Sequence, residues 1–396
     1  MNILVFCHEY PPQGGGGGVG AKQYAEAWAS KGHRVTLVTS RVNHLPAQEV
    51  VNGVEIVRIY APGIRARATI PLVAMAVYCA LGFVFVLSQA RRLRVYDVIN
   101  SHFCIPGGLL GVAAAKVLGL PHVLTIIGGD IFDPTKSGSP HRHWLTRAIN
   151  RLVLRLADRI VAISSDTKRR AHQYYEAGRD IRIIPYGFVP IALPQSAATL
   201  RHQSGPFRVI AVGRLVKRKG FEYLIRALAL LPQEVQLTIV GDGPLHGELL
   251  TLAQALGVAG RVTLAGYKTR EEIFAHLAAS DCYGLSSLHE GLCIAVQEAM
   301  YAGLPIVATN NGGQVDLIRD PHNGLLVDPA SAEQLAAALG KFYADRDFAR
   351  RVARKNREDI ERHLIGANSE EYLALFGQLA PARAADPSRR ELGPTH

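Results

Sequence analysis

The chain has 396 residues, of which 48% are hydrophobic and 19% charged, and its formal net charge is +11. That length and apolar content support two or three packed domains and exclude a disordered chain. So basic a chain calls for an anionic partner. No nucleic-acid motif is present and the basic residues are not interleaved with aromatic ones, so nucleic acid is excluded in favour of phosphorylated small molecules or an anionic membrane surface.

The five cysteines (Cys7, Cys79, Cys104, Cys282 and Cys293) are scattered and form no CxxC pair. Disulfides and a structural zinc are not expected, and a reducing, cytoplasmic setting fits. The first residues, Met1-Asn2-Ile3-Leu4-Val5-Phe6, carry no basic region and too short an apolar run for a signal peptide.

Short strand and helix patterns alternate along the chain, which predicts an α/β class. Residues 2–7 read as a buried strand, followed by the glycine run Gly14 to Gly18 and a helix over 21–31, with Tyr24, Ala25 and Trp28 at core spacing. Strand, glycine-rich turn and helix form a phosphate cradle, so Gly15, Gly16 and Gly17 are candidate anion ligands. The alternative is a merely flexible loop, and GxGxxG spacing within five consecutive glycines is a weak signal. The next strand, 34–39, ends in Ser40-Arg41. No acid stands there to hold a dinucleotide ribose, which counts against a dehydrogenase.

Residues 68–90 carry no charge, with Arg65 and Arg67 before them and Arg91, Arg92 and Arg94 after them. The length suffices to span a bilayer. A span would separate strands 97–100 and 122–126 from the strand at 2–7, whose sheet they are expected to join. The segment therefore reads as a helix, either an ordinary buried crossover or one partly pressed into a membrane surface. Ser101-His102 closes one strand and Gly128-Gly129-Asp130 follows another. His102 and Asp130 thus stand at the C-terminal ends of parallel strands, where open α/β sheets bind ligands. A structural role is the alternative for each. Further strands at 159–163 and 181–184 lead to Pro185-Tyr186-Gly187, and 190–206 is a linker without periodicity.

The α/β pattern then restarts. A strand at 208–212 runs into the basic turn Gly213-Arg214-Leu215-Val216-Lys217-Arg218-Lys219-Gly220. Arg214 and Lys219, five residues apart around a strand-to-helix turn, are candidate partners for a diphosphate; solvated surface charge is the alternative. Strands at 235–240 and 262–265 end in glycine turns, the second at Gly266-Tyr267-Lys268. A strand at 281–285 leads into Ser286 to Gly303. There a short helix from about Ile294 is stopped by Gly303-Leu304-Pro305. The amides of Gly291, Leu292 and Cys293 lie at its N-terminus, which favours an anion. Two carboxylates flank that spot, Glu290 and Glu298. Carboxylates repel phosphate but accept from hydroxyls, so the stretch suits a phosphorylated, hydroxyl-rich ligand; a capped surface helix is the alternative.

These residues resemble the retaining glycosyltransferases of family 4. The resemblance rests on Gly213-Arg214-Leu215 with Lys219-Gly220, Glu290-x7-Glu298 with Ala299-Met300, Gly303-Leu304-Pro305, Gly312-Gly313 and Asn323-Gly324-Leu325-Leu326-Val327, and at the N-terminus on Tyr10-Pro11-Pro12 before the glycine run. It implies the GT-B fold: two Rossmann-like, doubly wound parallel-sheet domains facing a central cleft. An acceptor-binding domain over 1–189 would be completed by a C-terminal helix at 367–380. The linker 190–206 would lead to a nucleotide-sugar domain over 207–366, and 381–396 would be a disordered tail.

By the same resemblance Arg214 and Lys219 hold the donor diphosphate, with Gly213 at the turn. Glu298 holds the ribose, and Glu290 the donor sugar. Gly291, Leu292 and Cys293 face sugar and phosphate, and Gly266, Tyr267 and Lys268 face the base. Gly15, Gly16 and Gly17 close on the donor phosphates or the acceptor, while Asp130 and His102 contact acceptor or donor sugar. The family generally needs no metal, so no cofactor is expected. The acid pair Asp345-Arg346-Asp347 reads as a solvated face. The sequence departs from the family at Ile127, where a histidine is common, at Tyr186, at Gln314 and at Asp316. The expected activity moves a hexose from a UDP- or GDP-linked sugar to an acceptor hydroxyl, with a lipid-linked acceptor at the inner membrane face. A soluble acceptor, or sugar-nucleotide binding without transfer, are the alternatives.

Overall fold

The computed structural model describes residues 1–42, 45–63, 71–191 and 205–380. Most of the expected linker, all of the expected tail and the first residues of the uncharged segment 68–90 lie outside the described residues. The chain divides into two compact units. The first holds Met1–Asp133, Ser137–Gly187 and the chain from Ile365 on; the second holds Pro134–Lys136 and Phe188–Leu364.

The first unit is built on an eight-stranded sheet in the order β3-β4-β2-β1-β5-β6-β7-β8. Its strands are β1 (Asn2–Phe6), β2 (Arg34–Ser40), β3 (Gln48–Val51), β4 (Val54–Ile59), β5 (Val98–His102), β6 (His122–Ile126), β7 (Arg159–Ala162) and β8 (Ile181–Ile183). All neighbours are parallel except β3, which pairs antiparallel with β4. The hairpin turns at Asn52-Gly53, both at positive φ, the dipeptide best suited to a tight two-residue hairpin. β1 sits centrally with Ile3 opposite Val98 and Asn2 opposite Arg34. Helices cover both faces of a parallel sheet, so its central strands read as continuous apolar runs. Ile3, Leu4, Val5 and Phe6 are accordingly buried, as are Val98 and Ile99. β5 and β6, on the far side of the uncharged segment, lie in the same sheet as β1. Among the described residues no helix is long and apolar enough to cross a membrane.

The glycine run departs from the expected loop. The helix begins at Gly16, not at residue 21, and runs to Ser30. Its glycines are there for close packing. A Cβ at Gly17 would lie 2.5 Å from the Phe103 ring, and one at Gly20 would lie 2.5 Å from the Tyr186 ring. On the same helix Tyr24 and Trp28 pack edge-on against Tyr372 of the helix Ile365–Leu379, and Trp28 also against Phe376. The Tyr24 hydroxyl donates to the Pro185 carbonyl at 2.5 Å. The last helix of the chain is thereby tied into the first unit.

The second unit has a six-stranded, all-parallel sheet in the order β11-β10-β9-β12-β13-β14. The strands are β9 (Phe207–Val212), β10 (Val235–Val240), β11 (Val262–Gly266), β12 (Cys282–Leu285), β13 (Ile306–Thr309) and β14 (Leu325–Val327). From β9 the order runs outward both ways, so β9 and β12 flank the topological switch point. Ligands bind at the carboxyl ends of strands there. One face is covered by Phe221–Ala229 and Ala332–Ala344, whose Leu224, Leu228, Leu335, Leu339 and Phe342 join one core with Val209, Leu237 and Val307.

Candidate functional site

The site grows from the two strands at the switch point. β9 runs into the loop Gly213 to Gly220, and β12 into Ser286 to Cys293. The loops are stitched together: the Ser286 hydroxyl donates to the Lys219 carbonyl at 3.0 Å, and the Leu288 amide to the Arg218 carbonyl at 2.7 Å. Gly220 is in the left-handed region, and a Cβ on it would lie 2.3 Å from the Ser286 carbonyl, so no other residue fits that crossing. The result is an ion pair, with Lys219 Nζ 2.7 Å from Glu290 Oε1. The Ser287 hydroxyl donates to the same carboxylate oxygen at 2.8 Å. The loop after β13 holds this segment from the other side. The Gly313 amide donates to the Glu290 carbonyl at 2.9 Å, and the Thr309 hydroxyl to the Ser287 carbonyl at 2.7 Å.

Glu290 is only 5% exposed. Burial alone would raise its pKa. The Lys219 ammonium, the nearby Arg218 and the hydrogen bonds from Lys219 and Ser287 outweigh burial and hold it down to about 2. Burial likewise disfavours the Lys219 cation, but Glu290 reverses the effect and the Lys219 pKa is raised. Both groups are charged at neutral pH. Beside them the helix Ile294–Tyr301 starts at Cys293, which gives no side-chain cap. No group among the described residues accepts from the amides of Gly291, Leu292 or Cys293. A buried cation and unclaimed amides at a helix N-terminus form a site for an anion.

Glu298 lies on that helix, nearly buried. Its Oε1 is 3.7 Å from Nε of Arg270, the first residue of the helix Arg270–Ala278. The Arg270 guanidinium also donates to the Val189 carbonyl and lies over the rings of Phe188 and Phe274. Burial raises the Glu298 pKa to about 7, against the lowering pull of Arg270. Glu298 is therefore near its titration point at neutral pH.

Arg214 is partly exposed on the basic loop and makes no ion pair among the described residues. Gly213 sits beneath the Lys219 side chain, 2.9 Å from its Cε if given a Cβ. Gly266, at φ +70, ends β11, and Tyr267 beyond it is about half exposed. Lys268 Nζ lies 3.5 Å from Glu272.

In the first unit the predicted residues are placed differently. The Gly15 amide donates to Glu9 Oε2 at 2.9 Å, so a carboxylate of the chain already faces the start of the helix carrying Gly16 and Gly17. The Asp130 carboxylate is committed to backbone: Oδ2 accepts from Cys104 N at 2.8 Å and Oδ1 from Ile127 N at 2.9 Å. Its own carbonyl accepts from Asn150. Burial raises the Asp130 pKa against those hydrogen bonds. His102 is fully buried, stacked on Tyr186, with Nδ1 3.1 Å from the Tyr186 hydroxyl. Burial lowers its pKa to about 3, so the ring is neutral. In this conformation both carboxylate oxygens of Asp130 hold backbone amides, while His102 faces the Tyr186 hydroxyl through Nδ1 and its Nε2 has no partner among the described residues.

Lys219, Glu290 and the amides of 291–293 are thus brought together at one switch point, with Glu298 one helix turn away. Sequence reasoning missed Arg270, Ser287 and Glu9. Thr269 and Glu272 form a capping box that marks where the Arg270 helix begins, but nothing local links Arg270 to Glu298. Ser287 lay inside the motif, three residues before Glu290.

Fold and site define a two-unit α/β protein of the GT-B type with a carboxylate-flanked helix start beside a buried lysine in its second unit. The profile of the Glycosyl transferases group 1 family matches residues 194–359, and that of the Glycosyl transferase 4-like domain matches residues 15–187. The chain belongs to this glycosyltransferase family. It is 40% identical over 165 residues to the lipopolysaccharide core biosynthesis glycosyltransferase LpsE of Rhizobium meliloti, a match covering 42% of this chain and 46% of LpsE. It is 32% identical over 243 residues to the GDP-mannose-dependent alpha-(1-6)-phosphatidylinositol monomannoside mannosyltransferase of Mycobacterium tuberculosis, covering 56% of this chain and 63% of that one. Matches to these two relatives thus span about half to two thirds of their length. Among solved structures, sucrose-phosphate synthase from Thermosynechococcus elongatus superposes with a TM-score of 0.82 at 23% identity, covering 96% of this chain and 99% of that one.

Proposed function

We propose that the chain is a retaining, metal-independent hexosyltransferase that moves a sugar from a UDP- or GDP-linked donor to an acceptor hydroxyl in glycolipid or cell-surface polysaccharide assembly. The observation that carries this reading is the Lys219–Glu290 pair beside the unclaimed amides of Gly291 to Cys293. The pair is preassembled and buried, and it supplies a cation for a phosphate and a carboxylate for sugar hydroxyls within one contact. The named relatives support the class of acceptor: one acts in lipopolysaccharide core biosynthesis and one on a phosphatidylinositol mannoside.

Donor phosphates dock on the helix start, where Lys219 turns from Glu290 toward them and Arg214 adds a second cation. Glu290, released from Lys219, accepts from hydroxyls of the donor sugar. Glu298 accepts from the ribose hydroxyls, and Tyr267 meets the base. In the reaction the bond from the anomeric carbon to the phosphate oxygen breaks as the acceptor oxygen attacks from the same face. The acceptor proton passes to the departing phosphate oxygen, so no protein base is needed. Lys219, Arg214 and the amides stabilise the charge that gathers on the leaving diphosphate, the largest lever a site of this kind has.

The test is calorimetric titration with GDP-mannose, UDP-glucose, UDP-galactose and UDP-N-acetylglucosamine, with and without chelator, followed by proton NMR of the product. Binding of one nucleotide family unaffected by chelator, with the donor's anomeric configuration kept in the product, is the expected result. No binding by any of the four, or an inverted product, overturns the reading.

A further inference from the structure

The first unit carries two exposed apolar helical faces that its own core does not need. The helix Leu72–Ser88 buries Ala74, Tyr78, Gly82 and Val86, one residue per turn. Its outward side holds Leu72 (83% exposed), Val73, Val84 and Leu87 and no charge at all. The helix Trp144–Leu156 buries Asn150, Val153 and Leu154. Outward it presents Trp144 (81% exposed) and the stripe Leu145, Ala148, Leu152 and Leu156, at helical spacing on one side. Beside that stripe Arg147, Arg151 and Arg155 form a ridge at four-residue intervals. Both helices pack on the turn Cys104–Gly108 and flank the helix Leu109–Leu118, so the faces belong to one side of the first unit.

Charge selects the occupant. From residue 56 to 96, and again from 134 to 157, the sequence contains no Asp or Glu, while Arg91, Arg92 and Arg94 follow the first helix and Arg142 precedes the second. Glu176 pairs with this ridge, 2.7 Å from Arg151. Exposed Trp and Leu beside a row of Arg is the surface of a helix that lies in a membrane interface, with rings and aliphatic groups in the acyl boundary and guanidinium groups at lipid phosphates. A protein partner would require contiguous acidic complementarity that nothing here points to.

We infer that this face, the helix Trp144–Leu156 together with Leu72–Ser88, docks the protein on an anionic lipid surface. It deepens the reading of a membrane-borne acceptor and rests on that reading for its purpose. The test needs no sugar donor, so the two can fail separately. Full-length protein is floated with vesicles of phosphatidylcholine alone and of phosphatidylcholine with one quarter phosphatidylglycerol. The wild type is expected to float with the anionic vesicles only. Trp144→Ser/Leu152→Ser, altered at exposed positions, is expected to lose about tenfold in the vesicle-bound fraction while keeping its melting temperature and its nucleotide affinity. Equal flotation of variant and wild type, or no flotation of the wild type with anionic vesicles, overturns the inference. So does a dimer, seen by light scattering and abolished by the same variant, without flotation.

Discussion

The two sheets end their strands with the same kinds of residue and use them in opposite ways. At the end of β5 and in the loop after β6 of the first unit stand His102 and Asp130, the first sealed in the core and the second holding two backbone amides. After β9 and β12 of the second unit stand Lys219 and Glu290, each compensated by the other's charge. A carboxylate gripped by two fixed amides has no freedom to change partner. A carboxylate gripped by a lysine does, because the lysine stem rotates and a phosphate can take its ammonium. Position at a strand end alone therefore does not separate the two sets; the exchangeability of the partner does.

Removing Lys219 breaks the contrast most severely. Lys219→Ala leaves Glu290 nearly buried without its ion-pair partner, and breaking a buried pair costs about 3–5 kcal/mol. The Glu290 carboxylate, with its pKa held at about 2, contributes stability above its unfolded value near 4.5, and that stability is lost as pH falls toward 2. Lys219→Ala is expected to lose this pH dependence along with melting temperature, and to lose turnover by about a hundredfold or more. The double variant Lys219→Met/Glu290→Gln should regain most of the stability and none of the turnover. Arg214→Ala makes the complementary cut. Arg214 is partly exposed and unpaired among the described residues, so its loss should leave stability within about 0.5 kcal/mol while turnover falls about a hundredfold. Near-normal turnover in both single variants would sink the diphosphate assignment.

The first unit is tested by Asp130→Asn. An amide can accept one of the two backbone N–H groups but turns a donor toward the other, at a cost of about 1–3 kcal/mol in urea unfolding. Turnover per folded molecule should be unchanged. A loss of turnover at full stability would instead place Asp130 against substrate.

Much of this was legible in the sequence because it is local. The parallel strands show as apolar runs, and the helix stop at Gly303-Leu304-Pro305, the basic turn and Glu-x7-Glu are each short-range signals. The helix start at Gly16 was not legible, since glycine is a poor helix former and what holds it there is the distant packing of Phe103 and Tyr186. The burial of His102 follows from stacking on Tyr186, 84 residues later. The sequence marks Lys219 and Glu290 as separate candidate ligand contacts; that they meet depends on β9 and β12 being neighbours, which no local pattern states. The amphipathic helix Trp144–Leu156 carries a plain 3.6-residue pattern, but that pattern does not state that the fold leaves Leu145, Ala148, Leu152 and Leu156 uncovered.

Glu298 offers the finest distinction, because its charge is neither fixed by a close partner nor absent. Its pKa of about 7 stands above the usual value of 4.5. The folded protein therefore holds a proton that the unfolded chain gives up between those pH values, so stability falls as pH rises through that window, by on the order of 3 kcal/mol at most. Glu298→Gln removes this penalty. The variant should melt higher than wild type at pH 8 and alike at pH 4.5. Under the proposed donor assignment binding works in the other direction, because ribose hydroxyls would donate to the ionised carboxylate. If only that form binds, nucleotide affinity should rise about tenfold from pH 6 to pH 8 and level off above, with protons released on binding near pH 7. Calorimetry in two buffers of different ionisation enthalpy measures that release directly. In Glu298→Gln the affinity should be lower and flat with pH. A flat profile in the wild type would mean that the ribose is held elsewhere, and that the Arg270–Glu298 pair belongs to the packing of its two helices.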